Sequence, residues 1–126
     1  MKMLIAVAMG GAMGAVGRYL VMSGVGHWLG HGFPWGTIAV NLIGSFILGG
    51  LIEYSALVAT ISQEARGFLV VGALGAFTTF SAFSLDAYTL MDRGQMAAAA
   101  GYALGSVVLC LFGFWAGLAI IRQVAA

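Results

Sequence analysis

Four hydroxyl side chains fall within ten residues in the stretch Gly75-Ala76-Phe77-Thr78-Thr79-Phe80-Ser81-Ala82-Phe83-Ser84. The surrounding segment, about residues 67–91, is apolar and long enough to cross a bilayer, which puts these hydroxyls at mid-membrane. Serine and threonine can bond to backbone carbonyls, and Gly75 weakens a helix locally. A break here would free carbonyls such as those of Gly75 and Thr78 for water or a cation. An unbroken helix with internally bonded hydroxyls is the other interpretation, and these residues alone leave both open.

The rest of the chain is as apolar as this segment. Of 126 residues, 62% are hydrophobic and 7% are charged, and the mean hydropathy is +1.05. Soluble domains carry about 25% charged residues, so most of this surface is predicted to face lipid. A net charge of +1 without a basic run gives no footprint for nucleic acid. A cleaved signal peptide is disfavoured because the remaining chain would be just as hydrophobic.

Four stretches are predicted to be membrane-spanning helices, each of which needs about 20 mostly apolar residues. They cover about residues 3–23, 36–59, 67–91 and 96–121. The turns between them are short, so residues 1–126 are predicted to form a single four-helix transmembrane domain. The longest turn holds Trp28, Pro34 and Trp35, which suit the headgroup level of a bilayer.

The basic residues give only a weak orientation signal. An even number of spans puts Lys2, Arg66 and Arg122 on one side of the membrane and Arg93 on the other. Arg18 joins Arg93 if its side chain snorkels to the nearer surface. Such a bias permits insertion in both orientations and antiparallel pairing, or simply reflects a small chain with few charges.

Polar side chains with a spacing of four residues mark the second and fourth spans. The stripes consist of Thr37, Asn41 and Ser45 and of Tyr102, Ser106 and Cys110. This spacing places each set on one helix face, where interhelical hydrogen bonding is the ordinary explanation and a polar pathway the alternative.

The aromatic pair Phe80 and Phe83 has two interpretations. Such a pair is usually packing or lipid contact, but its positive ring edges can also hold an anion. The embedded charges Arg18, Glu53 and Asp86 are expected to pair structurally or to reach an interface. By helix rise, Arg18 and Asp86 are predicted to lie at similar depth, near the far end of the first helix.

Several motifs together carry a resemblance to a known family. They are Gly14-Ala15-Val16-Gly17-Arg18-Tyr19, Trp35-Gly36-Thr37, Asn41-Leu42-Ile43-Gly44, Gly72 through Gly75, Thr78 through Ser84, and Tyr102 with Ser106. With these motifs the chain resembles the Fluc (CrcB) family of bacterial fluoride channels over essentially its whole length. The string Thr-Thr-Phe-Ser-x-Phe-Ser is the most specific of them.

The resemblance implies an all-α membrane protein with a third helix broken near its middle and an antiparallel, dual-topology homodimer. It implies a passive fluoride-selective channel that exports fluoride across the bacterial inner membrane through two pores per dimer. Such a multi-pass protein would confer fluoride resistance and would not be an enzyme.

The resemblance also implies an anion pathway. Its side chains would be Thr37, Asn41, Phe80, Ser81, Phe83, Ser84, Tyr102 and Ser106. The Asn41 amide would coordinate the anion, the rings of Phe80 and Phe83 would offer their edges, and the hydroxyls would act as donors or line a polar track.

A vestibule and a cation site are implied as well. Arg18 would attract anions to a vestibule, and the backbone carbonyls of Gly75 and Thr78 would hold a structural Na⁺ that is not transported. Two residues depart from the family pattern, since Cys110 stands where some relatives have serine and Asp86 where a longer glutamate can occur.

Three other functions are alternatives for this sequence. A small proton-coupled multidrug transporter also has four spans and is often dual-topology, but it needs a carboxylate in a central cavity. Glu53 is the one candidate, roughly 24 Å into its helix and so near the exit. A membrane scaffold is the next alternative. An enzyme is not expected, because His27 and His31 form a metal pair only if helical and lack a third ligand or general base.

Overall fold

The computed structural model describes residues 1–125. These residues form helices and turns with no strand among them, and four helical runs are long and apolar enough to cross a membrane. We name the first, second and last of these α1 (Lys2–Leu29), α2 (Trp35–Leu57) and α5 (Met96–Ala125). The third run, Gln63–Asp92, is divided into two helices.

The division of the third run confirms the predicted break. Its first helix, α3, covers residues 63–77 and is α-helical over Gln63–Arg66, π-helical over Gly67–Leu74 and α-helical again over Gly75–Phe77. Thr78 and Thr79 then have extended backbone, with φ/ψ of −81°/157° and −153°/111°. The helix α4 begins after them and covers Phe80–Asp92.

Two threonine hydroxyls stabilise the ends created by this break. Thr78 Oγ1 donates at 3.0 Å to the carbonyl of Leu74, which also accepts from the amide of Thr78, so this hydroxyl bonds back to the last turn of α3. Thr79 is the N-cap of α4, and its Oγ1 accepts from the amide of Ala82 at 3.0 Å. Threonine is a preferred N-cap, and such a cap stabilises a helix by about 1 kcal/mol. The Thr79 hydroxyl thus favours a new helix start, whereas the Thr78 hydroxyl bonds internally as it would in a continuous helix.

Helix ends differ from the sequence prediction at several points. The helix α1 continues to Leu29 rather than ending near residue 23, because Gly26 packs within the bundle and the chain first turns at Gly30, which has a φ of 81°. The predicted turn before the third span is partly helical, because Ser62 Oγ accepts from the amide of Ala65 at 3.2 Å and caps Gln63–Arg66.

Glycines let the helices pack closely in two pairs, α1 with α3 and α2 with α5. A Cβ on Gly14 would collide with the backbone carbonyl of Ala73 on α3. On the other pair, a Cβ on Gly49 would collide with the carbonyl of Phe114, and one on Gly117 with the carbonyl of Phe46. Small residues of this kind are how membrane helices gain contact area without a hydrophobic driving force between them.

One ion pair joins α2 to α5 near their C-terminal ends. Arg122 Nε lies 2.9 Å from Glu53 Oε1, and Glu53 is 7% exposed. This contact confirms structural pairing for Glu53, which also removes the carboxylate from any central cavity.

Candidate functional site

A groove of about 370 Å³ opens on the side of the bundle at the break in the third span. Residues from α2, α3, α4 and α5 line it together with the break itself. Six of the predicted site residues meet there: Asn41, Gly75, Thr78, Phe80, Phe83 and Ser106. Ser45 and Cys110, which the two polar stripes contain, line the same groove. The polar stripes of α2 and α5 therefore converge on the break.

The Asn41 side chain connects α2 to the break through two hydrogen bonds. Its Oδ1 accepts from the amide of Thr79 at 2.7 Å, and its Nδ2 donates to the carbonyl of Thr79 at 3.1 Å. A primary amide has two N–H donors, so one remains for a ligand in the groove. The family resemblance predicted that Asn41 binds an anion, but the contact between Asn41 and Thr79 was not predicted. The one indication for Thr79 was that a threonine three residues before Ala82 stands where the N-cap of a new helix would be.

The same contacts account for two free carbonyls. In a continuous α-helix the amide of Thr79 would donate to Gly75 and the amide of Ala82 to Thr78. Here these amides donate to Asn41 Oδ1 and to Thr79 Oγ1 instead. The carbonyls of Gly75 and Thr78, which were predicted to hold a cation, have thus lost their helical donors.

The rings of Phe80 and Phe83 form part of a short aromatic row. Their centroids are 5.2 Å apart at an interplanar angle of 41°, and Phe83 lies 5.2 Å from the ring of Tyr102. Phe80 is 77% exposed on this single chain, whereas Phe83 is half-buried. Tilted rings of this kind turn positive edges toward their neighbours, so the groove can offer weak contacts to an anion.

Ser106 and the two serines of α4 have different surroundings. Ser106 is 6% exposed, and its Oγ has no hydrogen-bond partner within residues 1–125. Ser84 Oγ donates to the carbonyl of Phe80 at 3.1 Å, and Ser81 Oγ lies 3.3 Å from Thr79 Oγ1. Both α4 serines are exposed and lie outside the groove lining. Of the serines predicted for the anion pathway, the groove lining thus includes Ser106 of the polar track but neither of the two predicted donors on α4.

Thr37 and Tyr102 meet beyond the groove at one carboxylate. Thr37 Oγ1 donates to Asp86 Oδ2 at 2.6 Å, and Tyr102 OH donates to the same oxygen at 3.1 Å. Thr37 and Tyr102 are each 1% exposed, so their hydroxyls are fixed. The sequence predicted an interface or a basic partner for Asp86, but two neutral donors from α2 and α5 occupy it.

A second, smaller hollow of about 190 Å³ lies on the other side of this carboxylate. Its lining includes Thr37 and Asp86 of the hydrogen-bonded group just described, together with His31 and Arg93. The His31 ring packs over the bare backbone of Gly26, near the end of α1. The condition for a histidine metal pair, one helix across both residues, is not met, because His27 lies on α1 and His31 lies in the turn after Leu29.

Arg18 lies outside both of these spaces. It is partly buried on α1, and a Cβ on the preceding Gly17 would lie 3.5 Å from Phe77 Cδ1. This contact puts Arg18 close to the depth of the break. The prediction that it lies near the far end of α1 is wrong, because the helix continues to Leu29.

Comparison with known proteins agrees with this architecture. The sequence model of the family described as "CrcB-like protein, Camphor Resistance (CrcB)" matches residues 5–118. A protein of Rhodospirillum centenum named fluoride-specific ion channel FluC is 52% identical over 126 residues, which is 100% of both chains. A protein of the same name from Nitrobacter winogradskyi is 50% identical over 121 residues, 96% of each chain. Another from Agrobacterium fabrum is 50% identical over 117 residues, 93% of this chain and 94% of its own.

The resemblance noted from the motifs is thereby confirmed over nearly the full length. The chain belongs to the CrcB family.

Proposed function

We propose that this protein is a passive, fluoride-selective channel that carries fluoride out of the bacterial cell across the inner membrane. The observation that carries this proposal is the groove at the broken third span, where uncharged hydrogen-bond donors converge. The relatives from three bacteria that are about half identical to this chain are all named fluoride-specific ion channels. Conduction down a gradient makes and breaks no covalent bond, so the function is transport and not catalysis.

The donor chemistry fits a small, strongly hydrated anion. A pore must replace lost hydration, and the groove offers the second N–H of Asn41, with Ser106 also in its lining. The rings of Phe80 and Phe83 add contacts at their edges. None of these groups carries full positive charge, so each contact is weak enough for release. Several weak sites in series favour conduction over tight binding.

A second copy of the chain would complete the pathway. The groove is open at the side, and Phe80 is 77% exposed beside it. Polar groups such as the partly exposed Asn41 amide are costly against acyl chains, so a protein surface has to cover the groove. The weak bias of the basic residues permits both insertions, and we propose an antiparallel homodimer. Two grooves per dimer would then give two pores.

A sodium ion would have a structural role at the break. The carbonyls of Gly75 and Thr78 have lost their helical donors, and an unpaired carbonyl in lipid costs several kcal/mol. A monovalent hard cation suits carbonyl oxygens, as it does in discontinuous helices of transporters. When bound, it would add positive potential beside the anion sites without itself being transported.

The remaining predicted residues take supporting roles in this proposal. Thr37 and Tyr102 hold Asp86 away from the groove and line the outer end of the track. Ser81 and Ser84, which are exposed on α4, would donate only where a second copy covers them. Arg18 would raise the local anion concentration at a vestibule.

The multidrug transporter is disfavoured by the position of its candidate carboxylate. Glu53 is paired with Arg122 at 2.9 Å and lies outside the groove lining. A carboxylate held in this way cannot exchange protons with a substrate cavity at the break.

Growth of bacteria in fluoride tests the proposal. We expect this chain to restore growth of a strain lacking its own fluoride exporter, and to give no resistance to toxic organic cations. The matched control is Asn41→Asp, expressed at the same level, which should leave the strain sensitive. Resistance to organic cations alone would indicate the transporter, and resistance to neither would favour the scaffold.

A further inference from the structure

The second hollow differs from the groove in the charge of its lining. The groove lining contains no acidic, basic or histidine side chain, whereas the lining of the hollow contains His31, Asp86 and Arg93. Arg93 is the C-cap of α4, and the chain turns at Gly94, which has a φ of 79°. A basic residue suits a helix C-terminus, but that role does not require it to line a hollow. Arg93 thus brings a full positive charge to this space.

A row of aromatic rings joins the hollow to the groove. Phe33, which lines the hollow, meets the ring of Tyr102 edge-on, with centroids 5.6 Å apart and an interplanar angle of 88°. The same Tyr102 ring lies 5.2 Å from Phe83, which lines the groove. The hydroxyl of Tyr102 donates to Asp86, which lines the hollow. One tyrosine side chain therefore contacts residues of both spaces.

The guanidinium of Arg93 is available to an anion from solution. Arg93 is exposed, and the one ion pair within residues 1–125 joins α2 to α5 elsewhere in the bundle. Asp86 shares the hollow with Arg93 but accepts from two neutral hydroxyls instead. A carboxylate in the lining repels an entering anion, and an unpaired guanidinium offsets that repulsion. His31 adds at least one ring N–H donor beside it.

We infer that the second hollow is a recruitment site for small anions at the outer end of the pathway, with Arg93 as its positive group and His31 as a neighbouring donor. Recruitment into the pathway rests on the proposed function, whereas anion binding in the hollow does not. A positive charge at a cleft raises the local concentration of anions. Because this charge lies outside the groove, the weak contacts that favour release are preserved there. Attraction and selection are thus assigned to separate spaces.

The size of the effect follows from the charge of one side chain. A unit charge about 7 Å from an anion in water changes the local anion concentration about threefold. Arg93→Gln should therefore lower fluoride efflux from liposomes about threefold when fluoride is far below saturation, and leave the maximal rate unchanged. Arg93→Glu, which reverses the charge, should lower it about tenfold. Because the Debye length is about 3 Å in 1 M salt, both deficits should disappear in about 1 M sodium isethionate.

Two further variants separate charge from structure. Arg93→Lys keeps the positive charge and should retain the efflux of the wild type at low fluoride. The matched control is Arg66→Gln, which removes the same charge from an exposed residue outside the hollow lining and should leave efflux unchanged. A deficit of Arg93→Gln that persists unchanged in high salt would indicate a structural role and contradict recruitment by charge.

Anion binding in the hollow is measured without transport by NMR. The chain has two histidines, so their ring resonances are readily assigned with His31→Gln. His31 lines the hollow and His27 does not, which makes His27 an internal reference. Sodium fluoride added to the protein in micelles at constant pH should shift the His31 resonance saturably and leave His27 unmoved. In Arg93→Gln, the same shift should require about three times as much fluoride.

Two results would overturn the inference. One is a His31 resonance that does not respond to fluoride in the wild type. The other is equal efflux of Arg93→Gln and the wild type at low fluoride and low ionic strength. A wild type that releases no fluoride but shows the His31 shift would instead refute the proposed function and leave the anion site in the hollow supported.

Discussion

Asn41→Asp is the substitution whose effect follows most directly from the geometry of the break. The carboxylate has nearly the shape of the amide, and one oxygen can still accept from the amide of Thr79, now at 2.7 Å from Oδ1. The donor to the Thr79 carbonyl, now 3.1 Å from Nδ2, is lost. Because the second carboxylate oxygen then faces the Thr79 carbonyl without a donor between them, we expect a cost of about 1–3 kcal/mol, which the fold should survive.

The effect on an anion in the groove is much larger. An ionised carboxylate about 4 Å from a fluoride ion repels it by about 4 kcal/mol at an effective dielectric constant of about 20. Because each 1.4 kcal/mol is a factor of about ten, occupancy of the site should fall roughly a thousandfold. The lost amide donor adds to this effect.

The assay is fluoride efflux from liposomes, recorded with a fluoride electrode on samples matched for protein content. The control is Gln95→Glu, which adds the same charge at an exposed turn between α4 and α5. Efflux should be abolished by Asn41→Asp and preserved by Gln95→Glu. Undiminished efflux through Asn41→Asp at neutral pH would refute the assignment of Asn41 to the anion.

Three further predictions concern the rings, the cap and the cation. Phe80→Ile and Phe83→Ile should each reduce fluoride efflux while size-exclusion elution stays unchanged. Phe112→Ile, on an exposed part of α5, should not reduce efflux. Normal efflux in both groove variants would show that the ring edges are not part of the pathway. Thr79→Val should lower the free energy of unfolding by about 1 kcal/mol by deleting the N-cap of α4, and Thr79→Ser should restore most of it in thermal melts; equal melting of the valine and wild-type proteins would contradict the capping role. Preparation without Na⁺, with a bulky organic cation in its place, should lower efflux in a manner reversed by adding Na⁺, and sodium-independent efflux would count against the structural cation.

The sequence predicted structural features best where they depend on a single helix or on hydroxyl groups close in the chain. The four spans followed from apolar length, whereas the cluster of threonines and serines after Gly75 left a broken and an unbroken helix open, and the family resemblance implied the break. Thr78 and Thr79 each bond to groups within four residues, which is why local reasoning could anticipate an interruption. The stripes that contain Asn41 and Ser106 favoured interhelical hydrogen bonding, and a shared pathway was only the alternative.

Contacts between distant segments were not predictable in this way. Thr37 and Asp86 are 49 residues apart, and Asn41 and Thr79 are 38 apart, so no periodicity connects them. The two hydroxyl partners of Asp86 were consequently not anticipated in the sequence prediction. The π-helical turn at Gly67–Leu74 has no composition that distinguishes it from an α-helix. The end of α1 was missed because Gly26, covered by the His31 ring, stays helical and the chain turns only at Gly30.

Efflux of fluoride and chloride from liposomes that contain only the wild-type protein tests most directly whether uncharged donors at the broken span select a small hydrated anion. We predict rapid release of fluoride with chloride retained, without any proton gradient. Retention of both anions, or release of both at the same rate, would contradict the account.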